Sequence, residues 1–141
     1  MKKLLLFSLI FITIISCKND AAPDLAEKFA GEYYATKSDS IVTTNQTWTI
    51  TRQDLNHVNV LFYFMNIYRD GSVTRSKYDI YIPGVLVSEA NTLNFNNEFI
   101  FDQLKCKVIG KASLTNDFID YDITITDEYS SRKLTSRIYR Q

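Results

Sequence analysis

Few residues in this 141-residue chain are of a kind that does chemistry, and their types narrow the options at once. His57 is the sole histidine, so no histidine-based metal cluster or Ser-His-Asp constellation can assemble from residues beyond it. Beside Asn56 at the start of a strand, it reads as a solvated edge residue. The carboxylates Asp117, Asp120, Asp122, Asp127 and Glu128 crowd one stretch. Such a group could hold calcium or supply an acid–base pair, and Asp120 and Asp122 share one strand face. Basic residues stand opposite them in the register derived below, which makes a solvated cross-strand charge ladder the stronger reading. With four glycines in the whole chain there is no phosphate-cradling loop. The expectation is a protein that is not an enzyme and uses no metal or cofactor. Of the two cysteines, Cys106 alternates with apolar neighbours, as a small buried hydrophobe does; a reactive thiol or intermolecular bridge is the alternative.

Cys17 has a different setting. Lys2 and Lys3 form a positive start, Leu4–Ile15 an apolar run, and Ile14-Ile15-Ser16-Cys17 places a small residue directly before the cysteine. The run is shorter than the roughly 20 residues a bilayer span needs. This pattern resembles the bacterial lipobox; an ordinary secretory leader or a spanning helix is the alternative. The resemblance implies removal of residues 1–16, a diacylglyceryl thioether on Cys17 and an acylated amino terminus. Three acyl chains anchor a protein to a membrane without crossing it. Lys18-Asn19-Asp20 is similar to the charged tether of surface-exported Bacteroidetes lipoproteins, with Asn19 where an acidic residue is expected. The expected address is the bacterial outer membrane, on its periplasmic or its cell-surface side.

Residues 17–23 then read as the lipidated cysteine and a tether, and residues 24–141 as one domain, long enough to bury a core without staples. Lys2 and Lys3 belong to the leader, which leaves 14 of the 16 basic residues against 16 acidic ones. That balance provides no basic footprint for nucleic acid.

The elements follow from periodicity. Asp24 and Glu27 have capping-box spacing, and Leu25 and Phe29 fall on one face, which predicts a helical turn or two that must lean on something larger. After Gly31 the period is two. Gln46, Trp48 and Ile50 alternate with threonines, Val58, Val60, Phe62 and Phe64 with Asn59, Leu61 and Tyr63, and Tyr78, Ile80 and Ile82 with Lys77, Asp79 and Tyr81. Breaks are expected at residues 53–56, Asp70-Gly71, Pro83-Gly84, Ala90-Asn91 and Asn96-Asn97, with Pro83 at a strand end.

The last third admits a register. A two-residue turn at Asn116-Asp117 sets Leu114 opposite Ile119, Ala112 opposite Tyr121, Gly110 opposite Ile123, Val108 opposite Ile125 and Lys111 opposite Asp122. The missing side chain of Gly110 would make room for the Tyr121 ring or for a sharp bend. A second two-residue turn at Tyr129-Ser130 sets Ile125 opposite Leu134, Tyr121 opposite Ile138, Asp122 opposite Arg137 and Asp127 opposite Arg132. Both hairpins match apolar with apolar and acid with base, and a one-residue slip would destroy both. The fold class is therefore all-β: an antiparallel up-and-down meander of about eight strands closing into a small barrel, with a sandwich as the alternative.

Gly31 and Tyr33 on the first strand, the preceding turn, a Thr-x-Thr strand and a C-terminal arginine resemble small lipocalin-like lipoproteins of the Bacteroidetes. The resemblance implies a barrel whose first strand packs beneath a basic residue from the last, here Arg137 or Arg140. Tyr33 and Trp48 depart from the wider lipocalin pattern, which carries its tryptophan at the position of Tyr33. It also implies binding of a small apolar ligand among inward rings, with Tyr33, Trp48, Phe62, Phe64, Tyr78 and Tyr121 as candidate lining, and Phe95 facing inward with them. Rings of this size could equally fill the interior. The competing reading is an interaction or scaffold module of the envelope, working through an outer patch of Leu61, Tyr63, Met65 and Tyr81. A ligand-sized cavity separates the two. Asp39-Ser40-Ile41 also resembles a Bacteroidetes O-glycosylation acceptor, whereas Asn45-Gln46-Thr47 matches the N-glycosylation pattern without meaning in a bacterial lipoprotein.

Overall fold

The computed structural model describes residues 23–75, 79–89 and 91–141. The expected leader, Cys17 and most of the tether lie outside the described residues, as does Tyr78. The strands are β1 (Gly31–Ser38), β2 (Val42–Arg52), β3 (His57–Tyr68), β4 (Val73–Arg75), β5 (Ile80–Glu89), β6 (Thr92–Phe101), β7 (Leu104–Thr115), β8 (Phe118–Thr126) and β9 (Ser131–Arg140). All pair antiparallel. The β1–β9 and β2–β3 ladders close eight of them into an up-and-down barrel, and β4 extends the far end of β3 as an extra strand. Closure leaves this alternating chain one inner face to fill, and removes the exposed edges an open sheet would offer.

A single 3-10 turn, Glu27–Phe29, precedes the barrel. The Asp24 carboxylate accepts from the Glu27 N–H at 3.1 Å, and the Leu25 and Ala26 N–H groups donate to the Leu55 carbonyl at 2.9 and 3.1 Å. These bonds pin the turn to the β2–β3 loop, so that Ala26 and Phe29 are fully buried. So short a helix is stable only through this packing.

Two expected breaks are strand interior. Pro83-Gly84 lies within β5 and forms a bulge, two residues facing the single Asn59 between the pairs Val58–Val85 and Val60–Ile82. Gly84 takes φ +63°, and its N–H donates to the Asn59 side chain at 3.2 Å. The extra residue resets the alternation, so Ile82 and Val85, three apart, both point inward and are buried. Asn96-Asn97 likewise lies within β6. The Asn97 amide donates to the Pro83 and Gly84 carbonyls at 2.8 and 3.1 Å, holding β6 to β5 beside the bulge. The chain reverses instead at Asp102-Gln103, both at positive φ.

The β7–β8 register has every expected pairing, from Thr115–Phe118 through Lys111–Asp122 to Val108–Ile125, with Asn116 at φ +51° in the turn. What Gly110 makes room for is the neighbouring backbone: a Cβ there would lie 2.2 Å from the Asp122 carbonyl oxygen and 2.6 Å from the Ile123 Cα. The β8–β9 register differs from expectation by two residues. Ile123 faces Leu134, Tyr121 faces Ser136, Ile119 faces Ile138 and Asp120 faces Arg137. The turn is four residues long, because the Asp127 carboxylate accepts from the Tyr129 and Ser130 N–H groups at 2.8 and 2.7 Å and from the Ser130 hydroxyl at 2.9 Å. A slip of two keeps every side chain on its face and changes only its partner.

Candidate ligand-binding site

Inward positions on each strand form layers from one end of the barrel to the other, and the two ends are finished differently. At the end where β1 begins, Phe29 and Ala26 plug the opening above Ile50, Val58, Leu93, Ile119 and Ile138, all buried. The Tyr33 hydroxyl donates to the Phe29 carbonyl at 3.1 Å. Arg140, its partner in the β1–β9 ladder, donates to the Tyr33 hydroxyl oxygen at 2.6 Å and to the Lys28 carbonyl, with its guanidinium 5.2 Å from the Tyr33 ring centre. Burial pushes the Tyr33 hydroxyl pKa up, and the Arg140 hydrogen bond opposes this in part. Arg140 is thus the basic residue over the first strand. Arg137 points outward, its guanidinium 4.0 Å from the Phe118 ring centre.

Across the middle, Trp48 stacks edge-on to Phe62 with ring centres 4.2 Å apart, and lies 4.6 Å from Tyr121 and 6.2 Å from Phe95. All four rings are buried. Gln46, one inward step from Trp48 on β2, accepts a 2.7 Å hydrogen bond from the Tyr121 hydroxyl through its side-chain oxygen. Burial raises the Tyr121 pKa despite this bond.

Beyond this aromatic layer the described residues leave the barrel open. A cup of about 580 Å³ is walled by Phe64, Ile80, Phe99, Phe101, Ile125 and Leu134, with Cys106 among them. Thr44, Asn66, Asp127, Ser130 and Arg132 supply its polar atoms. The Thr44 hydroxyl donates to the Asn66 side chain at 2.8 Å, so part of this polarity is paired within the wall. The backbone N–H groups of the turn, led by Tyr129, hold the Asp127 carboxyl below its ordinary pKa, with Ser130 and the charge of Arg132 adding to the effect. Burial, with the Asp127 charge, pushes the Cys106 thiol up, which keeps it protonated and a poor nucleophile.

Of the expected lining residues, Phe64 is in the cup wall. Trp48, Phe62 and Tyr121 lie one or two inward steps deeper, at the floor, together with Phe95. Tyr33 belongs to the plugged end. Phe99 and Phe101 complete the wall and were hidden by the break expected at Asn96-Asn97; the alternation Leu93, Phe95, Asn97, Phe99, Phe101 was their signal. Leu134 was on the apolar face in the expected register, and the shift of two changed its partner from Ile125 to Ile123 without changing its face.

The acidic stretch does not converge on the cup. Asp120 is held by Arg137 in two bonds of 2.7 and 2.8 Å, Asp122 pairs with Lys133 at 2.9 Å, and Asp127 serves its turn. Among the described residues no group of three or more His, Cys, Asp or Glu side chains could hold a metal ion. His57 Nδ1 sits 2.9 Å from the Asp54 carboxylate in the β2–β3 loop at the plugged end. On the outer face Leu61 and Tyr81 are ladder neighbours; Tyr81 is half exposed, while Leu61, Tyr63 and Met65 are partly covered. Among the described residues no helix is long and apolar enough to cross a membrane.

No family model matches the chain, and no curated protein matches it. Among solved structures it is similar to that of EF1p2_mFAP2b bound to DFHBI, at 16% sequence identity and a TM-score of 0.53, over 85% of this chain and 100% of that one. The likeness supports the small closed β-barrel.

Proposed function

We propose that the protein is a binding barrel that takes a small, largely apolar molecule into its open cup. The observation that carries this reading is the asymmetry of the interior: one end is plugged to full burial, while the other holds a 580 Å³ cup walled by rings and aliphatic chains. That volume is in the range of small-molecule sites, and a few polar atoms among apolar walls is their usual composition. The Cys106 thiol in its wall is held protonated. The similar barrel, EF1p2_mFAP2b, was solved bound to DFHBI, which is in keeping with the reading. The lipobox-like leader supports a wider proposal: a lipoprotein of the bacterial outer membrane, anchored through Cys17, of a lipocalin-like kind.

Every described element follows residue 22, so a chain starting at Lys18 keeps the whole barrel. Native mass spectrometry of that chain, purified from a bacterial extract, should show a retained small molecule that is lost in a folded Phe99→Asp variant. A bare mass, together with no uptake of added apolar probes, would sink the binding reading. Metabolic labelling with an alkyne fatty acid should mark the full chain and leave Cys17→Ser unmarked; equal labelling of both would end the anchor proposal.

A further inference from the structure

Among the described residues two side-chain donors inside the barrel are buried without a partner, Gln46 Nε2 and Trp48 Nε1. Buried polar groups are almost always paired, and an N–H left without an acceptor forfeits the bond it would make with water. Their positions are successive inward steps of β2, directly beneath Thr44, which lines the cup. Gln46 also faces Phe64, another wall residue, across the β2–β3 ladder. Its amide is held by one end: the side-chain oxygen takes the Tyr121 hydroxyl at 2.7 Å, which turns the nitrogen end away from that bond. Gln46 is 7% exposed, so solvent does not serve it. In the wall above, the Thr44 hydroxyl donates to the Asn66 side chain.

We propose that the molecule taken by the cup carries a hydrogen-bond acceptor, a carbonyl-type oxygen, at its leading end, and that Gln46 Nε2 donates to it at the junction of cup and aromatic floor. This rests on the cup being the ligand site and adds the polar chemistry of the ligand. Tyr121 acts as a positioning residue, because its hydroxyl fixes which end of the Gln46 amide is free. Trp48 Nε1, one step deeper, is a second donor for an acceptor that reaches the floor. A pure hydrocarbon would fill the same walls and leave the amide N–H buried and unpaired, a difference of about tenfold in affinity.

Three probes of like shape separate the possibilities on the chain starting at Lys18: benzophenone with an acceptor, diphenylmethane with neither donor nor acceptor, and diphenylamine with a donor. Equilibrium dialysis should give benzophenone about tenfold tighter binding than diphenylmethane. In Gln46→Met that preference should vanish while diphenylmethane binding stays within about twofold. Infrared spectra should show the bound ketone's carbonyl stretch at lower wavenumber in the wild type and unshifted in the variant. Equal binding of benzophenone and diphenylmethane to the wild type, or a preference for diphenylamine, overturns the inference while leaving the cup as a site. Binding of none of the three removes the cup and the inference together. If Gln46→Met does not fold, the wild-type affinities and the ketone spectrum still decide.

Discussion

The plugged and open ends of this barrel use the same strands and the same inward alternation, yet one is solid and the other hollow. At the plugged end a three-residue helical turn is tied to Leu55 by two backbone bonds, and the Arg140 side chain ties its carbonyl to Tyr33. Phe29 is thereby driven into the opening. Among the described residues nothing comparable crosses the other end. There the four hairpin ends stop at the rim, and Phe64, Phe101, Ile125 and Leu134 stay partly exposed around the cup. An eight-stranded barrel is just wide enough for side chains to fill or for one small ligand to occupy. Here a single local segment decides which outcome each end has.

The comparison can be broken most sharply in the solid part. Phe29→Ala or Trp48→Ala should each cost about 3–5 kcal/mol, measured by urea unfolding, because each leaves a large cavity among fully buried neighbours. Leu134→Ala in the partly exposed cup wall should cost about 1 kcal/mol or less. Equal losses at the two ends would mean that the cup wall is as tightly packed as the core.

Gly110→Ala comes next, at about 1–3 kcal/mol, since the new methyl would strike the β8 backbone and Gly110 takes φ +146°. A thermal midpoint unchanged from the wild type would mean that β7 and β8 can part freely there. Arg140→Met should follow at about 1–3 kcal/mol, because the Lys28 carbonyl and the buried Tyr33 hydroxyl lose a charged donor. The outward Arg137→Met should cost clearly less than Arg140→Met, its pair with Asp120 being solvent-exposed. Reversal of that order would assign the structural arginine wrongly.

The smallest effect concerns acid. Three hairpins at the open end are each pinned by an aspartate, Asp39, Asp70 and Asp127, whose carboxylate accepts from its own turn. For Asp39 and Asp127 backbone N–H donors are the main cause of a lowered pKa, and for Asp70 it is the Ser72 hydroxyl. A carboxyl with a folded pKa below its unfolded one stabilises fully above the unfolded value, and that contribution fades as pH falls through the folded value. Protection of the amides of Val42, Ser72 and Ser130 against exchange, relative to the intrinsic rate at each pH, should therefore fall below the ordinary carboxylate range, before the barrel unfolds. Asp127→Asn should remove this pH dependence at Ser130 alone; a profile identical to the wild type there would refute the account.

Much of the fold was legible because a two-residue period is a local signal. It marked Trp48, Phe62, Phe95 and Tyr121 as inward and set the whole β7–β8 register through Asn116-Asp117. The β8–β9 register was not legible to the same depth. Parity excludes a slip of one but is blind to a slip of two, and only the hydrogen bonds to Asp127 distinguish a four-residue turn from a two-residue one. Pro83-Gly84 and Asn96-Asn97 look like loop sequence for the same reason that they suit a bulge and the bonds beside it. Misreading them concealed Phe99 and Phe101, two members of the cup wall.

By itself, the sequence determined the inward alternation along most strands and where several hairpins turn. The tertiary structure alone decided which inward rings pack as a floor and which surround a space. That outcome depends on closure, which brings Tyr121 to Gln46 across 75 positions of sequence and Arg140 to Tyr33 across 107. Alternation is a property of neighbours along the chain, whereas a cavity is what remains after distant side chains have claimed the same volume.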